Sequence, residues 1–225
     1  MLGSFFHWLG YGLCHQLPSR SFFAGGWQVP VCARDTGIYA GFALSLALIA
    51  ALERGRRPAG LPAPWLLVAG SAGVLAMVVD GVTSYAGVRE TTNAIRLATG
   101  LAAGWAMPLV VVPMLHGQLW RRWDDVRLLE GRKAAAWLAG LPLAFAAIYW
   151  LLPRAGVMFP LLVSVAILAT LAVVNLVFVS LIPAFERSAS SVRSLAPQVA
   201  VAAVLTGLEL VGAALLRSWL EHAIG

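Results

Sequence analysis

Residues 65–85, WLLVAGSAGVLAMVVDGVTSY, form an apolar run with one charged side chain, Asp80. As a helix rising about 1.5 Å per residue, the run is roughly as long as a bilayer's hydrocarbon core is thick. Comparable runs recur at about 35–52, 93–115, 134–152, 157–182 and 198–216. Of the 225 residues, 60% are hydrophobic and only 12% charged, and the mean hydropathy is +0.82. A soluble domain is about a quarter charged. The sequence therefore predicts an all-α integral membrane protein of about six transmembrane helices. It is expected to be one polytopic domain over residues 1–225, with an N-terminal interfacial segment at 1–34 and the helical bundle at 35–216.

The formal net charge is +6, yet nucleic acid is not the expected partner. The basic residues gather in short loops, as membrane topology requires. The loops after the first, third and fifth spans carry 3, 5 and 2 of them, which is 10 of the 16 Lys and Arg. Loops so enriched belong on the cytoplasmic side, so both termini are expected outside. The start, MLGSFFHWLGYGLCHQ, lacks the basic opening and small-residue cleavage site of a signal peptide.

Residues 3–17 are too few to cross as helix and read as an interfacial or re-entrant helix. On helical spacing His7, Tyr11, Cys14 and His15 share one face. Residues 18–34 are expected to be irregular, broken by Gly25, Gly26 and Pro30. Gly37 and Gly41 in the first span, and Gly100 and Gly104 in the third, mark faces where helices approach closely. Pro108 and Pro113 are expected to kink the third span.

Two polar islands interrupt the apolar chain: 14–39, CHQLPSRSFFAGGWQVPVCARDTGIY, and 80–96, DGVTSYAGVRETTNAIR. With six spans, the start of the first, the end of the second and the start of the third lie at one face. Cys14, His15, Cys32, Arg34, Asp35, Asp80, Arg89, Glu90, Asn93 and Arg96 are thereby expected together. Glu209, in the sixth span, falls about 12 Å below that rim.

Cys14, His15, Cys32 and Asp35 offer sulfur, nitrogen and oxygen donors of the types Zn²⁺ takes. Two cysteines on an outer face equally permit a disulfide closing the loop between them, or two free thiols. Arg34, Arg89, Asn93, Arg96 and Tyr39 form the candidate ligand-binding set, since paired guanidinium forks match phosphate or carboxylate oxygens. The structural alternative is a network in which Asp80 neutralises Arg96 and Asn93 caps the third span. Asp80, Glu90 and Glu209 are the candidate catalytic carboxylates. Glu209 alternatively bonds to Asn175 or Thr206 as packing.

The words CHQLPSRSFF, PVCARDTGIYAGF and DGVTSYAGVRETTNAIRLATG resemble the family catalogued as domain of unknown function 2085, small polytopic membrane proteins of bacteria and archaea. The likeness covers about residues 11–104 and implies a bacterial or archaeal plasma membrane. It conveys no activity. The family typically carries a cysteine where Asp35 stands, and often glutamine at Ser84; a carboxylate can still take a thiolate's place on zinc.

Three functions fit. The first is binding or processing of an anionic, phosphorylated lipid or amphiphile at the outer membrane face, with or without a metal. The second is transport of a small solute or ion past Asp80 and Glu209. The third is an assembly role in which the islands are structural and a disulfide staples the N-terminal segment.

Overall fold

The computed structural model describes residues 2–224. Six stretches are long and apolar enough to cross a membrane: Ala33–Leu52, Pro64–Tyr85, Asn93–Leu119, Arg132–Ala155, Met158–Ser180 and Arg193–Ala223. In element order these are α2 (Ala33–Leu52), α3 (Pro64–Tyr85), α4 (Asn93–Ala106) running into α5 (Pro108–Leu119), α6 (Arg132–Ala146), α7 (Met158–Ser180) and α8 (Ala196–Ile224). The third crossing divides at Met107, because Pro108 has no N–H to continue the backbone ladder. α6 ends in a π turn and a 3-10 turn that reach Ala155. α8 is longer than the sequence suggests. Its 29 residues exceed the roughly 20 a bilayer core requires, and its end meets the N-terminal helix.

The outward faces of the bundle are lined with Leu and Val, such as Leu75, Val82, Leu143, Val165 and Leu208, all more than half exposed. In lipid these side chains need no protein cover, whereas every polar backbone group must be satisfied internally. The buried core is correspondingly small-featured where helices touch. α2 and α4 run parallel and make the most extensive helix contact. A methyl group on Gly37 would meet backbone atoms of Leu97 and Leu101, and one on Gly100 the Arg34 carbonyl. Close approach of this kind substitutes for hydrophobic driving force inside a membrane. Deeper in the same interface Ser45 Oγ donates to the Trp105 carbonyl at 2.8 Å and accepts from Trp137 Nε1 at 2.9 Å.

The N-terminal segment departs from expectation in two ways. Its helix, α1 (Leu2–Tyr11), stops before Cys14 and His15, so the four-residue helical face drawn from spacing does not exist. Residues 18–34 are ordered, not irregular: β1 (Ser21–Ala24) pairs antiparallel with β2 (Trp27–Cys32). Gly25 and Gly26, at φ +56° and +82°, make the tight turn. Phe22 anchors the hairpin in the bundle, its ring 6.2 Å from Tyr149 and 6.0 Å from Phe159. A second small pairing, β3 (Pro58–Gly60) with β4 (Asp124–Arg127), ties two loops at the opposite face. The chain is thus helical in its crossings, with two-stranded pieces at each rim.

α1 carries Phe5 and Trp8 on an exposed face and docks near the end of α8. Arg217 makes the joint. Its Nη1 donates to the carbonyls of Tyr11 at 2.6 Å and Cys14 at 2.7 Å, and its Nε to Glu221 at 2.7 Å. The Tyr11 hydroxyl donates to Glu221 at 2.5 Å.

Candidate functional site

The rim where α2 and α4 begin and α3 ends collects both polar islands. Cys32 is the last residue of β2 and the residue before α2, and Asp35 lies in the helix's first turn. Residues i and i+3 share a helix face, so Cys32 Sγ and Asp35 Oδ2 stand 3.2 Å apart. Cys14 arrives from the other side, just past α1. The Cys14 and Cys32 sulfurs and an Asp35 oxygen all lie within 4.8 Å of one another.

Both cysteines are free thiols, which corrects the disulfide alternative. The physical reason is visible in their bonding. Cys14 Sγ accepts backbone N–H groups from Cys32 at 3.2 Å and Gln16 at 3.5 Å, while Cys32 Sγ faces a carboxylate. A hydrogen bond from the Cys32 thiol, reinforced by the two backbone N–H groups, holds Cys14 below the usual cysteine range. The same bond, burial and the Asp35 charge push Cys32 far above it.

His15 is not part of this three-donor cluster. It is exposed and lines the neighbouring cavity. The reason is the turn after α1: Gln16 takes a left-handed φ of +54°. Its Nε2 reaches the carbonyls of His7 at 2.9 Å and Pro30 at 2.7 Å, and its own carbonyl accepts from Gln28.

Asp80 does not neutralise Arg96. Buried at 1% exposure, it accepts from Arg34 Nη2 at 2.5 Å and from Arg89 Nη2, with Thr99 Oγ1 at 3.4 Å. Arg34, at the start of α2, takes the carboxylate instead, because α4 packs against both α2 and α3 and brings the start of one beside the end of the other. Asn93 does not cap α4 either; Thr92 does, its Oγ1 accepting from Ile95 N–H at 3.3 Å. Asn93 Nδ2 instead reaches the carbonyls of Ser19 and Ser21, and its Oδ1 accepts from Arg96 Nη1 at 3.1 Å.

Arg96 is left in an unusual state. It is 8% exposed, and no carboxylate pairs with it among the described residues. It faces a cavity of about 120 Å³ shared with Arg20, Arg34, Cys14, Cys32 and Tyr85. Among the described residues the Arg20 side chain has only an aromatic partner, the Tyr85 ring at 5.5 Å. Spacing did not single out Arg20; its position inside the first island was the available signal.

The remaining candidates lie elsewhere. Arg89 and Asp80 are spent on each other and do not line the cavity. Glu90 is exposed and without a bonded partner among the described residues. Tyr39 lies about one turn deeper than Asp35, packed against the core. Glu209 accepts from Asn175 Nδ2 at 3.0 Å, and the same amide donates to Thr206 at 3.1 Å. In this arrangement Glu209 packs against α7 through Asn175. A larger cavity, about 670 Å³, opens at the opposite face. Its two acids are already engaged: Glu53 by Lys133 at 2.5 Å and Asp124 by the Arg57 N–H at 2.6 Å.

Residues 14–110 match the family described as Predicted membrane protein (DUF2085). The match takes in both islands and the helices that carry them, α2, α3 and α4. An uncharacterized protein of Methanocaldococcus jannaschii is 32% identical over 110 residues, covering 49% of this chain and 68% of that protein. Another, from Methanothermobacter thermautotrophicus, is 36% identical over 104 residues, covering 46% of this chain and 88% of its own length. No solved structure matches the chain.

Proposed function

The chain belongs to the DUF2085 family of predicted membrane proteins, and we propose that it binds an anionic, phosphorylated lipid or amphiphile where its two polar islands meet. One observation carries this: Arg96 is buried beside two further arginines, and among the described residues no acid pairs with it. A buried charge without a partner is costly, and crowded like charges raise that cost. An anion in the cavity would relieve both, accepting hydrogen bonds from Arg20 and Arg96 while Arg34 remains on Asp80.

The surroundings favour an amphiphile over a free ion. Leu17 and Tyr85 line the same cavity and are 45% and 69% exposed. They give an acyl chain a route from the headgroup to the lipid. We orient this rim outward, because the loops of the opposite face carry 10 of the 16 Lys and Arg. The role is binding. Neither Asp80 nor Glu90 lines the cavity, and Asp80 serves to hold Arg34 and Arg89.

The test is lipid recovery. Wild-type protein and an Arg20→Ala/Arg96→Ala variant are purified from the same membranes, and bound lipids are quantified by mass spectrometry. Wild type is expected to retain about tenfold more anionic phospholipid, with zwitterionic lipid unchanged. Equal anionic lipid in both would contradict the reading.

A further inference from the structure

We infer that Cys14, Cys32 and Asp35 form a three-donor site for a soft divalent metal, Zn²⁺ foremost. The inference does not depend on the amphiphile reading, and the metal is tested alone.

The donor set matches the ion. Two sulfurs and a carboxylate oxygen are the ligand types zinc takes, whereas calcium and magnesium prefer oxygen throughout. All three donor atoms lie within 4.8 Å of one another, and the Cys32–Asp35 separation is already 3.2 Å. Zinc–sulfur bonds of about 2.3 Å put neighbouring donors roughly 3.5–4 Å apart, so small side-chain rotations complete the cradle.

The charge balance points the same way. Among the described residues no Lys or Arg side chain bonds to the Cys14 or Cys32 sulfur or to the Asp35 carboxylate; Arg217 reaches only the Cys14 carbonyl. Arg34, next to Asp35 in the chain, turns away to Asp80 at 2.5 Å. A largely covered carboxylate beside two thiols thus has no directly bonded cation among the described residues, and a divalent metal would supply one.

The support around Cys14 is built. Gln16 occupies a left-handed conformation that non-glycine residues seldom adopt, and three hydrogen bonds hold it there. That conformation aims the Gln16 N–H at Cys14 Sγ, which the Cys32 N–H also reaches. N–H groups directed at a sulfur orient it and stabilise the thiolate a metal requires. Three protein donors leave a fourth position, as in zinc sites that accept an exogenous ligand. Cys14 and Cys32 also line the arginine-bearing cavity, so that position opens toward it. His15 is outside the set.

The experiment loads purified full-length protein with Zn²⁺, then exchanges it for Co²⁺. Wild type is expected to hold one metal per chain, and its Co²⁺ form to show a thiolate charge-transfer band. Cys14→Ser and Cys32→Ser should each weaken the band and the double variant abolish it; Asp35→Asn should weaken affinity at least about tenfold. His15→Ala should leave stoichiometry unchanged. Should the cysteine variants fail to fold, Asp35→Cys keeps the proposal testable: a third thiolate must strengthen the band. Wild type that takes up no metal, an Asp35→Cys spectrum identical to wild type, or loss of metal in His15→Ala would each overturn the assignment.

Discussion

Arg34 and Asp80, 46 positions apart in the chain, close an ion pair of 2.5 Å between α2 and α3. Asp80 holds Arg89 with its other oxygen, so one carboxylate fixes two guanidiniums. Removing it strands Arg34, which is only 12% exposed. Asp80→Asn is expected to destabilise the protein by about 3–5 kcal/mol, the range for a buried pair deprived of one partner. Arg89→Ala should cost no more than about 1 kcal/mol, because Arg89 is 44% exposed. Unfolding followed by intrinsic tryptophan fluorescence in neutral detergent separates the two outcomes. Equal losses would mean that Arg34 is not held by Asp80.

The interface of α2 and α4 makes a sharper mutational contrast. A methyl group at Gly100 or Gly104 would collide with backbone carbonyls of Arg34 or Ile38, which cannot move without parting the helices. At Gly207 and Gly212 in α8 the same methyl group would meet no atom within 4 Å beyond its own stretch of helix, among the described residues. Gly100→Ala and Gly104→Ala should each cost about 1–3 kcal/mol or more. Gly207→Ala and Gly212→Ala should be neutral or slightly stabilising, since alanine is the better helix former. The melting temperatures of the four variants give the comparison.

The joint between α1 and α8 has a pH signature. The Tyr11 hydroxyl donates to Glu221, and that bond holds its pKa above the ordinary value near 10. The neutral phenol is the bonded form, so the latch is complete below the pKa of a free tyrosine and is lost as pH rises through the raised one. Tyrosinate absorbance, taken as the difference from Tyr11→Phe, should show Tyr11 ionising later than a free tyrosine. Glu221→Gln should move it back toward that value; an unchanged titration would remove the bond from the account.

Arg217 presents one fork to two carbonyls and a carboxylate and covers the Tyr11 ring at 4.3 Å. Arg217→Lys is expected to loosen the Cys14 turn almost as much as Arg217→Ala, because a point charge cannot serve all of these partners. Hydrogen exchange over residues 11–16 reads the effect. Wild-type protection in the lysine variant would show that charge alone suffices.

The crossings were legible because a bilayer imposes one length and one composition on anything that spans it. The glycine pairs at 37/41 and 100/104 were legible for a similar reason: four-residue spacing puts small residues on one face. The hairpin was missed although its signal was present. Gly25-Gly26 between two short apolar runs is a two-residue turn, but the strands are seated by Phe22 on α7 and the end of α6, far away in sequence. The partner of Asp80 could not be read from spacing. Arg34 reaches it only because Gly37 and Gly41 let α2 lie close to α4, beside which α3 also packs. Likewise, His15 neighbours Cys14 in sequence yet leaves the donor set because of the left-handed turn at Gln16.

That Arg96 takes an anionic headgroup, as proposed, is tested most directly by titrating a short-chain phosphatidate into protein held in uncharged detergent. Calorimetry on wild type and Arg96→Gln is expected to show saturable binding weakened by about tenfold or more in the variant, with both proteins unfolding at similar temperatures. Identical affinities for the two, or no saturable binding by wild type, would contradict it.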